Sequence, residues 1–164
     1  MKRAVHQISP SPLTFEVIEE ILARDTRLEL SPESVALIEK SKAYLDRKIR
    51  EATGPIYGIT TGFGALCDIT VSESDLSRLQ ENLVLSHASN LGPEVPHEVV
   101  RLMLLLKAQA LAKGNSAVQM RTVQMILDLF NHHIVPVVGE QGSLGASGDL
   151  APLAMLFLPL LGRG

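Results

Sequence analysis

Four polar side chains stand in local patterns that suggest chemistry. Ser147 and Asp149 lie in Gly142-Ser143-Leu144-Gly145-Ala146-Ser147-Gly148-Asp149-Leu150-Ala151-Pro152-Leu153-Ala154. Tyr57 heads Tyr57-Gly58-Ile59-Thr60-Thr61-Gly62-Phe63-Gly64, and His87 closes Asn82-Leu83-Val84-Leu85-Ser86-His87. Each has a plain structural reading when taken alone. A glycine-rich turn feeding a helix needs glycines only for their positive φ angles. Gly58, Gly62 and Gly64 fit the spacing of a dinucleotide loop, but such a loop follows a buried strand and opens a helix. Here Ala52-Thr53-Gly54-Pro55 precedes it and Cys67-Asp68 follows. Tyr57 alone reads as a core aromatic, and a single histidine on a leucine-rich helix reads as structural. The thirteen-residue string is more particular than any turn requires, and it changes the weight of the other two motifs.

That string resembles the signature of the histidine and phenylalanine ammonia-lyase family, and the likeness extends over essentially all 164 residues. The chain is most like the amino-terminal third of the family's histidine-specific members. The resemblance implies that Ala146-Ser147-Gly148 cyclises to 4-methylidene-imidazol-5-one, an electrophile made from protein, so that no external cofactor is needed. The Gly148 nitrogen would attack the Ala146 carbonyl carbon, a close backbone approach that small residues permit. Loss of water from the ring, and of the Ser147 hydroxyl as a second water, leaves an exocyclic methylene. Asp149 is placed to assist proton transfers. The residue 57–64 loop resembles the family's Tyr-Gly-(Val/Ile)-Asn-Thr-Gly-Phe-Gly, which makes Tyr57 the candidate base and Gly64 part of the substrate site. Asn82, Ser86 and His87 match Asn-Leu-x-x-Ser-His, a stretch that lines the substrate pocket. Ser-His there is typical of histidine users, whereas Phe-Leu or His-Leu marks phenylalanine or tyrosine users, and an imidazole can hydrogen-bond a substrate ring as a hydrophobic pair cannot. The chain departs from the family pattern at Thr60 for Asn, Asn115-Ser116-Ala117 for Tyr-Ser-Gly, Asn90-Leu91-Gly92 for Gly-x-Gly, and Met155 for His.

The elements that must position these groups are mostly helical. Residues 5–13 read as an extended segment with turns at Pro10 and Pro12. Thr14 caps a short helix with Phe15, Ile18 and Leu22 on one face. Ser31-Pro32-Glu33 starts a second helix, capped by Ser31 with proline in its first position. Its stripe is Val35, Ile38, Leu45 and Ile49. Ser72 and Asp75 resemble a capping box for a helix carrying Leu76, Leu79 and Leu83 that runs towards Gly92-Pro93. Residues 96–113 are apolar on nearly every face, as in a central helix of a large bundle, and Gly114 breaks that helix. A further helix carries Val118, Met125, Ile126, Leu129 and Phe130. Residues 134–138 are β-branched and proline-containing, a short strand or extended segment. Asp149 caps the last helix, whose apolar run, residues 150–161, is too short to span a membrane and reads as buried core. The predicted fold is mainly α with minor β, the amino-terminal portion of the ammonia-lyase helical bundle.

Composition bounds the rest. Apolar residues make up 46% and charged residues 20%, the balance of a globular chain. A net charge of −3, with no aromatic-rich basic cluster, gives no reason to expect nucleic acid. The single cysteine, Cys67, cannot form an internal disulfide, and the start shows no secretory signal, so a cytoplasmic location is expected. His6, His97, His132 and His133 show no metal-ligand spacing, and no metal is expected. A mean hydropathy of +0.19, with an apolar run at the carboxyl end, suggests one lyase domain over 1–164 that is incomplete there or completed by other chains. The family likeness implies a homotetramer with composite active sites, acting on an amino-acid substrate. It also implies that residues 1–164 alone lack the second tyrosine, carboxylate-binding arginine and pocket glutamate of the complete enzyme. The expected reaction is elimination of ammonia from L-histidine to give urocanate. The alternatives are a phenylalanine or tyrosine ammonia-lyase or aminomutase, or a non-catalytic truncated fragment.

Overall fold

The computed structural model describes residues 3–62, 69, 71–145 and 148–163. The architecture is helical with minor strand, in the order β1 (Val5–Ile8), α1 (Phe15–Ala23), β2 (Arg27–Leu30), α2 (Pro32–Glu51), α3 (Leu76–His87), β3 (Leu91–Glu94), α4 (His97–Ala112), α5 (Met120–Asn131), β4 (Gly139–Gln141) and α6 (Leu150–Phe157). Among the described residues no helix is long and apolar enough to cross a membrane. The chain divides into two compact units, residues 1–45 with 95–135 and residues 46–94 with 136–164.

In the first unit β1 and β2 pair in parallel, Val5 opposite Arg27 and Ile8 opposite Leu30. The polar–apolar alternation of Arg27-Leu28-Glu29-Leu30 is the period-two signal for β2. Leu28 is buried and its neighbours are not. The free edge of β2 is closed by a side chain: Asn131 Oδ1 accepts the Leu28 N–H at 2.8 Å, and Asn131 Nδ2 donates to the Leu28 carbonyl at 2.9 Å. One amide thus satisfies both backbone groups that a third strand would otherwise satisfy. α4 and α5 pack together over this sheet, burying Leu104, Leu105, Val123, Ile126 and Phe130. The Arg101 guanidinium lies over the Phe130 ring, 4.8 Å from its centroid. α4 is not buried all round, because Val99 and Leu106 remain exposed.

Caps behave as expected at two of the helix starts. Thr14 Oγ1 accepts the Val17 N–H at 3.4 Å, and Ser31 Oγ accepts the Ser34 N–H at 3.1 Å. Pro32 is the first residue of α2, where its missing N–H costs nothing. Phe15, expected on the inner face of α1, is 87% exposed. It sits at the edge of the apolar arc, and Ile21 is the residue that enters the core. Val118 precedes α5 rather than lying within it. His6, half-buried on β1, is pushed below the usual imidazole range by burial, against an opposing pull from the Glu20 carboxylate.

Gly114 ends α4 with φ +69°, and a Cβ there would come within 2.7 Å of the Leu37 backbone. Three residues later Ala117 also takes a left-handed backbone, φ +49°, at the position where the resembled family has glycine. Its N–H donates to Ser41 Oγ at 3.1 Å, which holds the turn in place. Left-handed backbone costs a non-glycine residue roughly 1–2 kcal/mol, partly offset by the smaller unfolded-state entropy of alanine. Ala117→Gly should therefore stabilise the fold by about 0.5–1 kcal/mol, read as a raised denaturant midpoint. A lowered midpoint would contradict this account of the turn.

In the second unit, α3 ends at His87, well before Gly92-Pro93. Residues 91–94 instead form β3, antiparallel to β4, with Leu91 opposite Gln141 and Glu94 opposite Gly139. Residues 134–138, expected as a short strand or extended segment, form no paired strand, and the strand itself begins at Gly139. Gly139 is required there, since a Cβ would lie 2.6 Å from the Leu91 carbonyl oxygen. The Ser72–Asp75 capping box does not form. A 3-10 turn, Glu73–Asp75, precedes α3, and the Ser72 hydroxyl donates to Asp75 Oδ2 at 2.6 Å instead of accepting its N–H. α6 packs against α3. Only Ala154 and Leu156 of α6 are buried and Leu150 is 48% exposed. The run 150–161 is therefore less enclosed than its composition suggests, because α3 covers only part of it.

Candidate active site

Every described candidate residue falls in the second unit: Tyr57, Asn82, Ser86, His87, Gly148 and Asp149. Gly64, Ala146 and Ser147 lie outside the described residues, as does Cys67.

Tyr57 opens a turn that follows α2, with residues 52–56 in coil and bend rather than strand. The context of a dinucleotide loop is thus missing. Two threonines tie the turn. Thr60 Oγ1 accepts the Ile56 N–H at 2.8 Å, and Thr61 Oγ1 accepts the Gly58 N–H at 3.2 Å. Thr61 is fully buried. Thr60 replaces the family's asparagine with another short oxygen acceptor, a type that also closes local turns. Gly58 takes φ +68°, and its carbonyl accepts from Gln80 Nε2 at 3.5 Å, a long bond linking the loop to α3. Tyr57 itself is 63% exposed.

Asn82, Ser86 and His87 occupy the last turns of α3. His87 Nδ1 lies 2.7 Å from the Leu83 carbonyl oxygen. A carbonyl only accepts, so Nδ1 carries the proton, and in the neutral ring Nε2 is left as an acceptor. The Ser86 hydroxyl donates to the same carbonyl at 3.1 Å. The two side chains are therefore oriented by one backbone oxygen.

The β3–β4 pair carries the end of α3 to the turn that precedes α6. Gly142, at φ +127°, packs so closely on this segment that a Cβ would lie 2.8 Å from the Ser89 carbonyl oxygen and 3.0 Å from Asn90 Cα. Gly145 and Gly148 also take positive φ, +71° and +94°, with open space where a Cβ would stand. Their requirement is conformational, in contrast to the contact that excludes a side chain at Gly142. Asp149 sits at the N-cap of α6 but makes no cap bond with its side chain. Its carboxylate accepts from the Ser143 hydroxyl instead. Gly145 thus precedes the Ala146-Ser147-Gly148 tripeptide in a left-handed backbone, Gly148 is its last residue, and the Ser143–Asp149 bond links the described segments on either side of it.

Two neighbours had no functional signal in the sequence. Gln80 touches the Tyr57 turn, and the Nδ2 of Asn90 is buried with no hydrogen-bond acceptor. Both are recognisable only once β3, β4 and α3 are in place. A cavity of about 340 Å³ in the same unit is lined by Ile49, Arg50, Ala52, Gly54, Thr60, Val71 and Leu76. Of the site segments it reaches only the residue 57–62 turn, through Thr60. Among the described residues no group of three His, Cys, Asp or Glu is arranged to hold a metal ion. In the first unit His133 Nε2 pairs with Asp25 Oδ1 at 3.0 Å, beside Arg3.

A family profile described as aromatic amino acid lyase matches residues 13–164. The histidine ammonia-lyase of Caldanaerobacter subterraneus subsp. tengcongensis is 43% identical over 164 residues, all of this chain and 32% of the relative. That of Bacillus velezensis is 46% identical over 154 residues, 94% of this chain and 30% of the relative. The chain thus spans about a third of the length of the curated relatives it matches. Among solved structures, tyrosine aminomutase from Streptomyces globisporus superposes with a TM-score of 0.88 at 32% identity, covering 99% of this chain and 30% of that one. Histidine ammonia-lyase from Trypanosoma cruzi does so with a TM-score of 0.85 at 34% identity, covering 98% and 31%. With the profile covering nearly the whole chain, and the same fold in relatives of this identity, the chain belongs to the aromatic amino acid lyase family.

Proposed function

We propose that residues 1–164 are the amino-terminal domain of an ammonia-lyase that converts L-histidine to urocanate and ammonia without oxidation. The observation that carries the choice of substrate is His87, whose Nδ1 is committed to the Leu83 carbonyl at 2.7 Å. Its Nε2 is an acceptor matched to the N–H of a substrate imidazole. A benzene ring would leave that acceptor without a partner, while the exposed Ser86 hydroxyl keeps its bond to the Leu83 carbonyl. Relatives named histidine ammonia-lyase, at 41–46% identity, support the same reading.

In this reading Ala146-Ser147-Gly148 becomes a methylidene-imidazolone, which when formed supplies an electron sink for the departing amine. The chain's own residues do the rest. Asn82, Ser86, His87 and Gly64 hold the substrate. Tyr57 removes the β-proton, and a phenol does this only as its anion, so hydrogen-bond donors or positive charge must stabilise that anion. Asp149 moves protons at the turn. The working enzyme is a cytoplasmic homotetramer, and the exposed Val99 and Leu106 on α4 support burial of that helix against further chain. A second reading, an aromatic aminomutase or a phenylalanine or tyrosine lyase, draws on the superposition with tyrosine aminomutase.

The test compares kcat/KM on histidine, phenylalanine and tyrosine for the protein expressed from its complete reading frame. Histidine should be preferred by about tenfold, since only an imidazole N–H pairs with the half-buried His87 Nε2, whereas Ser86 is exposed. His87→Phe should shift the ratio towards phenylalanine by about tenfold or more. Higher kcat/KM on phenylalanine in the unaltered protein would replace the proposal with the second reading.

A further inference from the structure

Gln80 reaches from α3 to the turn that carries Tyr57. Its Nε2 donates to the carbonyl of Gly58, the residue after Tyr57, at 3.5 Å. We propose that Gln80 is a positioning residue for proton abstraction, docking the Tyr57 turn on the side of α3 that also carries His87. The inference rests on the reading of Tyr57 as the base, and every residue it uses lies in the second unit.

Three observations carry it. The first is the place of Gln80 on its helix. At 3.6 residues per turn, Leu76, Leu79, Leu83, Val84 and His87 share one arc of α3 and are half-buried, whereas the opposite arc around Arg78 and Leu85 is exposed. Gln80 falls within the half-buried arc, where the pattern of an amphipathic helix calls for an apolar side chain. The second is spacing. Gln80 and His87 are seven residues apart, so they lie within about 20° of each other around the helix and roughly 10 Å apart along it. A group held by Gln80 is thereby held in register with His87. The third is the turn itself, which is tied from within. Thr60 and Thr61 hydroxyls accept the Ile56 and Gly58 N–H groups. The Ile56 carbonyl accepts the N–H groups of Ile59 at 3.0 Å and Thr60 at 2.9 Å. A turn so tied moves as a body, so a bond at Gly58 also orients Tyr57.

A carbonyl only accepts, so the amide nitrogen of Gln80 and not its oxygen faces Gly58. The bond is long and its donor side chain is exposed, so its weight in overall stability is small. Its leverage is on geometry, because a small misplacement of a reacting group lowers the rate while leaving the fold intact. In the step it serves, the bond between the substrate β-carbon and its hydrogen breaks and the proton passes to the Tyr57 oxygen. Gln80 takes no proton. Its effect is on where that oxygen stands relative to a substrate ring held by His87.

The experiment is a double-mutant cycle between Gln80 and Tyr57 in the protein expressed from its complete reading frame, read by urocanate absorbance. Gln80→Met keeps the length of the side chain and removes the donor. It should lower kcat by about three- to tenfold, with little change in KM and an unchanged melting temperature. In the Tyr57→Phe background the same change should lower kcat no further, because the oxygen that Gln80 positions is already gone. A residue serving only the fold would not lose its effect when one oxygen is removed from a neighbouring ring. An unchanged kcat in Gln80→Met would overturn the proposal. So would an equal fold-loss in both backgrounds, which would make Gln80 act independently of Tyr57. A raised KM at constant kcat would move its role to substrate binding, and a loss of kcat matched by a fallen melting temperature would make it a packing residue; either overturns the positioning role. A Tyr57→Phe protein with the native kcat would instead remove the reading of Tyr57 as the base, and this proposal with it.

Discussion

Ser147→Ala should abolish the conversion of histidine to urocanate in the protein expressed from its complete reading frame. The argument is one of atoms. The proposed methylidene carbon is the β-carbon of Ser147, and it becomes an alkene only by losing its hydroxyl. Alanine has the carbon but no leaving group, so closure can expel at most one water and leaves a methyl group. Without an electron-poor alkene the amine remains a poor leaving group, and the β-proton has nothing to delocalise its charge. Loss of such transition-state stabilisation is worth several kcal/mol, on the order of a thousandfold or more in rate. Mass spectrometry across residues 142–163 supplies the paired readout: two waters lost in the active protein, one or none in Ser147→Ala. A fully active Ser147→Ala protein, or an active unaltered protein whose turn keeps its full mass, would end the proposed mechanism.

Tyr57→Phe should lower kcat by about a hundred- to ten-thousandfold, the usual contribution of a positioned general base, with a much smaller change in KM. Phenylalanine keeps the ring and removes only the oxygen. The turn that holds it has ties that this change leaves in place: Thr60 and Thr61 hydroxyls to the Ile56 and Gly58 N–H groups, and Gln80 to the Gly58 carbonyl. Melting temperature should accordingly stay near that of the unaltered protein. If proton abstraction becomes the slow step, histidine deuterated at the β-carbon should show a larger isotope effect in the variant. An unchanged kcat would assign the base to another residue. A matched loss in kcat and melting temperature would mean that the ring serves packing instead.

The local parts of this protein were legible in its residues because their causes are local. Ser31 and Pro32 start α2 through groups three residues apart, and Thr14 caps α1 in the same way. Gly114 stops α4 because only glycine fits the left-handed backbone against Leu37. The strings around Tyr57, His87 and Ser147 are equally local, and they pointed to the family before any fold was known. Where two local rules competed, sequence alone did not decide between them. Asp149 had the position of a cap but gave its carboxylate to Ser143. Ser72 and Asp75 had capping-box spacing but bonded side chain to side chain.

Tertiary structure decided what depends on distant partners. β2 exists because β1 lies beside it and because Asn131, 103 residues from Leu28, closes its other edge. α3 stops at His87 because the next residues pair with β4, and that pairing also seats Gly142 against Ser89 and Asn90. Phe15 stays in solvent while Ile21 is buried because the packing of α1, and not its composition, selects the inward arc. A turn or cap satisfies backbone groups within a few residues, so its energy can be read from neighbours in sequence. Strand edges and buried faces are satisfied by whatever the whole chain brings to them, and no local window of sequence contains that partner.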